Sequence, residues 1–183
     1  MKNTFLELFE YLKNPVLEKD KNTNFNYRIQ KFIHLLIICI LTSSLLTPLF
    51  FIIENLGWVD MEQHAMENIL KSYSKPIIFL LVAVIAPLFE ESLFRAPLTL
   101  FQNAKSFKIA FYIFAVIFGL IHITNYHITT NVLLLAPVLI APQTILGGYL
   151  GFIRVRFGLR WSILLHACYN AFFMFITFAG QSI

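Results

Sequence analysis

PIIFLLVAVIAPLFEESLFR, residues 76–95, decides how the rest of the chain is read. From Pro76 to Phe89 no residue is charged, and Glu90, Glu91 and Arg95 then follow inside the same apolar run. A charged side chain near the bilayer centre costs about 2.5–3.5 kcal/mol on insertion scales. Three of them within one and a half helical turns have to face a bundle interior and find partners there, which marks a functional site.

Composition agrees that the surrounding solvent is lipid. The 183 residues are 58% hydrophobic and 13% charged, with a mean hydropathy of +0.71. A soluble domain carries about a quarter charged residues. The formal charge of +4 does not indicate nucleic-acid binding, because the basic residues are scattered at the ends of apolar runs. Topology and contact with anionic membrane lipids account for them. Cys39 and Cys168 lie in apolar stretches with no paired-cysteine motif and read as buried bystanders.

Working outward, the fold class expected is all-α: a polytopic transmembrane helical bundle of about five spans with a four-helix catalytic core. All-apolar runs of this length are helical because lipid offers an unpaired backbone no partner. The spans expected are Phe32–Ile53, Pro76–Phe101, Phe107–Thr124, Asn131–Ile153 and Trp161–Ala179. The organisation is then a cytoplasmic amphipathic and basic segment over 1–31, an anchor span over 32–53, a non-cytoplasmic loop over 54–75, and a catalytic membrane core over 76–183. Residues 3–13 place Phe5, Leu8, Phe9 and Leu12 on one helical face, and Thr4 with Glu7 fits a capping box. That helix lies in the interface or docks on the bundle, and Pro15 ends it. Glu18 to Lys31 reads as a solvated linker. No cleavable leader is evident, so the first span is expected to serve as an uncleaved anchor. Lys19, Lys21, Arg28, Lys31, Lys105, Lys108, Arg154, Arg156 and Arg160 fall in alternate connections, with Lys71 and Lys75 as the exceptions, which places the N-terminus in the cytoplasm and the C-terminus outside. Gly147, Gly148 and Gly151 form a small-residue face for close helix approach.

Catalytic side-chain types recur in four of these spans: Glu90, Glu91 and Arg95; Phe118 and His122; His166 and Asn170; and His34 near the basic end of the first. Glu91 and Arg95 are four apart and share a helix face, as do His166 and Asn170. Glu90 points about 100° away from Glu91, free for a partner on another helix. A carboxylate, two imidazoles and an amide meeting in a dry pocket are the parts needed to activate water and hold an oxyanion. Counting about 1.5 Å per residue puts Glu90 and His166 roughly 10–17 Å from the cytoplasmic boundary, but His122 about 20 Å from it. His34, His64 and His127 read as structural or surface residues.

EExxxR, FxxxH and HxxxN in this order resemble the CPBP or Abi-type intramembrane proteases, the CAAX-protease and bacteriocin-processing family that includes the type II CAAX prenyl endopeptidases. EESLFR, FGLIH and the stretch GGYLGFIRVRFGLRWSILLHACYN carry the resemblance, which spans residues 76 to about 180. Ala96 and Pro97 depart from the family, many of whose members have Gly after the Arg. The resemblance implies a peptidase acting on lipophilic peptides, prenylated or a bacteriocin precursor, at a pocket open to the membrane and the cytoplasmic side of a prokaryotic cell membrane. It implies Glu90 as the water-activating base assisted by His122, His166 and Asn170 on the scissile carbonyl and oxyanion, and Glu91 with Arg95 as the supporting pair. No cofactor is favoured. A zinc-dependent variant would use Glu90, His122 and His166, but HExxH is absent and Asn suits an oxyanion better than zinc. The rival readings are a non-catalytic immunity or membrane-interaction protein on the same fold and a proton or ion pathway.

Overall fold

The computed structural model describes residues 1–180; residues 181–183 of the expected core lie outside the described residues. Helices α1 (Lys2–Lys13), α2 (Phe25–Asn55), α3 (Ala65–Ser72), α4 (Lys75–Leu80), α5 (Ala86–Phe94), α6 (Ala104–Ile121), α7 (Thr130–Leu134), α8 (Ala136–Leu139), α9 (Ala141–Phe157) and α10 (Leu159–Gly180) follow one another with no strand among the described residues. Four stretches are long and apolar enough to cross a membrane: Phe25–Asn55, Lys75–Leu100, Ala104–Asn125 and Leu159–Gly180. Their outward faces carry side chains such as Leu45, Phe89 and Phe175. The chain is a polytopic helical membrane bundle.

The fourth expected span, Asn131–Ile153, is not one helix. Pro137 and Pro142 sit at the first turns of α8 and α9, where a missing N–H costs nothing and continuation from the preceding helix is blocked. The three pieces α7, α8 and α9 together return the chain to the side where α10 begins. Helix α9 is the buried axis of the bundle, with Leu150 and Ile153 fully enclosed. A Cβ on Gly147 would come 3.2 Å from the Ala115 backbone of α6, and one on Gly151 would come 2.6 Å from the Phe111 ring. Both glycines therefore set the α6–α9 approach.

The N-terminal segment differs from the expectation in two ways. Helix α1 docks on the bundle through Leu8 and Tyr11, whose ring meets Phe111 and Phe152 edge-on at 5.7 and 5.0 Å. Thr4 does not cap it. The Thr4 hydroxyl is buried and 3.0 Å from His34 Nδ1, because the helix starts at Lys2, one residue after Met1. The stretch expected as a solvated linker is exposed at 18, 19 and 21–26, but it is anchored through Asp20 and Lys31 and turns helical from Phe25. Asn24 caps α2 by accepting from Tyr27 N–H, so the helix opens at Phe25, seven residues before Phe32.

Ahead of that cap, the Asp20 N–H donates to the Arg156 carbonyl at 3.1 Å. Its carboxylate accepts from Tyr27 Oη at 2.8 Å and Lys31 Nζ at 3.2 Å. Glu7 completes the cluster, 2.6 Å from Lys31 and 3.3 Å from Arg156. Four charged groups thus knit α1, the 14–24 segment, α2 and α9 together.

Partial burial pushes the Asp20 carboxyl up, but the Asn22 N–H, Tyr27 and Lys31 outweigh it and hold the carboxyl below the usual aspartate range. A depressed folded-state pKa stabilises the fold above the unfolded value, about 3.9, and that contribution is lost as pH falls through the folded value. Asp20→Asn is expected to lower Tm at neutral pH, and the gap to wild type is expected to narrow under strong acid in a detergent thermal-melt series.

Candidate active site

Helices α4 and α5 are joined by a π-helical turn, Leu81–Ile85, and Pro87 explains it. The Ala86 N–H bonds the Leu81 carbonyl five residues back. In that register the Val82 carbonyl would need the N–H of residue 87, and proline has none. Asn170 on α10 supplies the missing donor, its Nδ2 lying 2.9 Å from the Val82 oxygen. One extra residue in the turn re-aims everything after it, including Glu90 and Glu91.

Glu91 and Arg95 are both buried, at 0% and 1% exposure. Arg95 Nη1 lies 3.6 Å from Glu91 Oε1, the pairing that four-residue spacing expects. That oxygen also lies 3.1 Å from His166 Nδ1 on α10. The other carboxylate oxygen accepts from the Ser162 hydroxyl, which is also 3.0 Å from the Leu150 carbonyl. One carboxylate thus ties α5 to α10. The Arg95 guanidinium lies 4.0 Å over the Phe118 ring, while its carbonyl accepts from Arg154 Nε at 2.9 Å.

Because His166 Nδ1 faces an acceptor, it carries the proton, and Nε2 is left toward the cavity. There it stands 3.7 Å from Glu90 Oε2. That Glu90 oxygen is buried and makes no hydrogen bond among the described residues. His122 reaches the same cavity from the far end of α6. Its Nδ1–H donates to the Phe118 carbonyl at 2.7 Å, which leaves its Nε2 free of a proton. The Phe118 ring is the shared wall, with centroids 4.8 Å from His122 and 5.7 Å from His166.

The cavity, about 350 Å3, is lined by Glu90, His122, His166 and Asn170, with Val82, Gln143, Tyr169 and His64. Every residue expected to do chemistry borders it, and Glu91 and Arg95 stand behind. The neighbour of Glu90 is His166, however, rather than the expected His122. Asn170 spends one amide N–H on the Val82 carbonyl and keeps a second. No group of three or more His, Cys, Asp or Glu among the described residues is arranged to hold a metal ion.

Two expectations change. His64 is not a bystander: it lines the cavity from the 54–75 segment, its Nδ1 accepts from Met66 N–H at 3.2 Å, and its ring meets Tyr126 edge-on at 4.8 Å. Burial, with His122 adding, holds its imidazole below the ordinary histidine range against the pull of Glu67. Nothing in the spacing of the sequence ties residue 64 to the three motifs, so only folding reveals it. The cavity is also walled by His64, Met66, Thr124 and Asn125, which belong to the side opposite the basic connections. None of its lining residues comes from the basic connections. Helix α6 begins at Ala104, three residues before Phe107, and His122 at its far end nonetheless borders the same cavity as His166.

The chain matches the family model described as Type II CAAX prenyl endopeptidase Rce1-like over residues 72–172, more than half its length. It belongs to this family of CAAX-type membrane proteases. The matched stretch contains Glu90, Glu91, Arg95, His122, His166 and Asn170, and leaves out His64. No curated protein and no solved structure matches the chain.

Pro87→Ala restores the N–H that Val82 lacks, so the Asn170 bond becomes redundant. Asn170→Ala alone is expected to cost about 1 kcal/mol of stability. In the Pro87→Ala background the cost is expected to fall toward zero, read as the coupling in a double-mutant cycle of detergent unfolding midpoints.

Proposed function

We propose that this chain is an intramembrane endopeptidase that hydrolyses a lipophilic peptide with water activated by Glu90. The observation that carries the reading is the pairing of two carboxylates with opposite fates. Glu91 is saturated by Arg95, His166 and Ser162, while the adjacent Glu90 presents to the cavity a buried oxygen with no donor among the described residues.

In this reading Glu90 takes a proton from water as the oxygen adds to the scissile carbonyl carbon. The developing oxyanion is met by the second Asn170 N–H, beside His166, which Glu91 holds in place. His122, anchored on the Phe118 carbonyl, completes the wall from α6 and supports the base. The carbon–nitrogen bond then breaks as the proton held by Glu90 passes to the leaving amine. No metal enters these steps.

The peptide is lipophilic, prenylated or a bacteriocin precursor, since the walls beyond the polar cluster are apolar and the bundle stands in lipid. With the basic connections in the cytoplasm, the cavity faces the other side of the membrane. That places the scissile bond in the non-cytoplasmic half.

The test is cleavage of a fluorogenic lipopeptide by purified protein in detergent. Glu90→Gln is expected to lower kcat by about 10²–10⁴-fold with KM little changed, and His166→Ala and His122→Ala to fall in the same direction. Full turnover by Glu90→Gln would overturn the base assignment. Activity is expected to persist with chelator; loss of activity that zinc restores would replace the metal-free mechanism.

A further inference from the structure

The opposite, basic side of the bundle holds a second hollow, about 1000 Å3, that the peptidase reading does not use. Three separate stretches enclose it: Lys19 and Lys21 before α2, Arg28 in the first turn of α2, and Arg154 with Arg156 at the end of α9. Thr99, beyond α5, adds a hydroxyl. Two carboxylates, Glu18 and Asp20, also border it, so cations outnumber them five to two. Asp20 is already matched by Lys31 and Arg156. Lys19 and Lys21 pair with no carboxylate among the described residues. Arg156 Nε is buried and without a hydrogen-bond partner among those residues.

The depth of this hollow is marked independently by its aromatic neighbours. Phe157 of its wall meets Trp161 at 5.7 Å and Tyr27 at 6.3 Å, and the Arg28 guanidinium lies 5.1 Å over the same Phe157 ring. Trp and Tyr gather at headgroup level in membrane proteins. The topology rule requires cations near the ends of spans and nothing more. It does not require them to converge from three stretches on one concave site with donors to spare. Basic pockets between helices on the cytoplasmic side are the form that headgroup recognition takes.

We propose that this hollow binds a phosphate-bearing anion, the phosphodiester headgroup of an anionic phospholipid, with Lys19, Lys21 and Arg28 around the phosphate. The site abuts the catalytic helix. Arg154, on its wall, bonds the Arg95 carbonyl and, at 3.0 Å, the Thr99 hydroxyl.

The test titrates dioctanoyl phosphatidylglycerol into the delipidated full chain in neutral detergent, following the intrinsic fluorescence of Trp161 in a Trp58→Phe background. Dioctanoyl phosphatidylcholine and inorganic phosphate run in parallel. Saturable binding of the glycerol lipid but not the choline lipid is expected. Lys19→Gln with Lys21→Gln is expected to weaken it by about fivefold per cation; neither side chain holds the fold. Lys105→Gln with Arg160→Gln, which removes as much charge from the same side outside the hollow, is expected to leave binding unchanged. No saturable binding, or equal loss in both double variants, would overturn the site. Inorganic phosphate binding as tightly as the lipid would overturn the lipid as its source. Because the readout is binding, the outcome does not depend on whether the chain cleaves peptides.

Discussion

A single carboxylate in the apolar interior, Glu91, organises the active half of this protein. An ion removed from water costs several kcal/mol unless charge and hydrogen bonds replace its shell. Here Arg95 supplies the charge, and His166 and Ser162 supply donors from α10. Because each partner sits on a defined helix, satisfying Glu91 positions α5 against α10 and sets the His166 ring. Arg95 in turn rests on Phe118 of α6, which carries the constraint to the third helix of the site. Breaking one member of such a set leaves the others buried without compensation, and for that reason the cluster locks the bundle.

Prolines impose the second constraint. Pro87 withdraws a donor within a lipid-facing helix, where an orphan carbonyl finds no water. The chain resolves this with a π turn and the Asn170 side chain. Asn170 thereby couples the shape of the α4–α5 segment to α10 and stands in the cavity as well. Pro137 and Pro142 break the return passage into three pieces, and the connections they free pack with Ile53, Val59 and Val132 into a small apolar cluster away from the basic side. Under that cluster the 54–75 segment can deliver His64 to the cavity.

The two sides of the bundle therefore differ in chemistry. One carries the imidazoles and Glu90 in a hollow walled by the 54–75 segment and the end of α6. The other gathers cations, the Glu7–Asp20–Lys31–Arg156 network and an aromatic girdle. Helix α5 runs between them, so Arg95 faces Glu91 with its side chain and the basic side with its carbonyl.

Much of this was legible in the primary structure, because lipid removes options. An apolar run in a bilayer has to be helical, charges within it have to pair, and four-residue spacing puts Glu91 beside Arg95 and His166 beside Asn170. These are local consequences of helix geometry and hold whatever the helices pack against. Partners on different helices were not legible. That Glu90 meets His166, that Asn170 answers a defect made by Pro87, that Thr4 bonds His34 in place of a capping box, and that His64 joins the site depend on offsets and tilts between helices. Residue spacing along one helix carries no information about those offsets, which are set by close contacts such as Gly147 on Ala115 and Gly151 on Phe111.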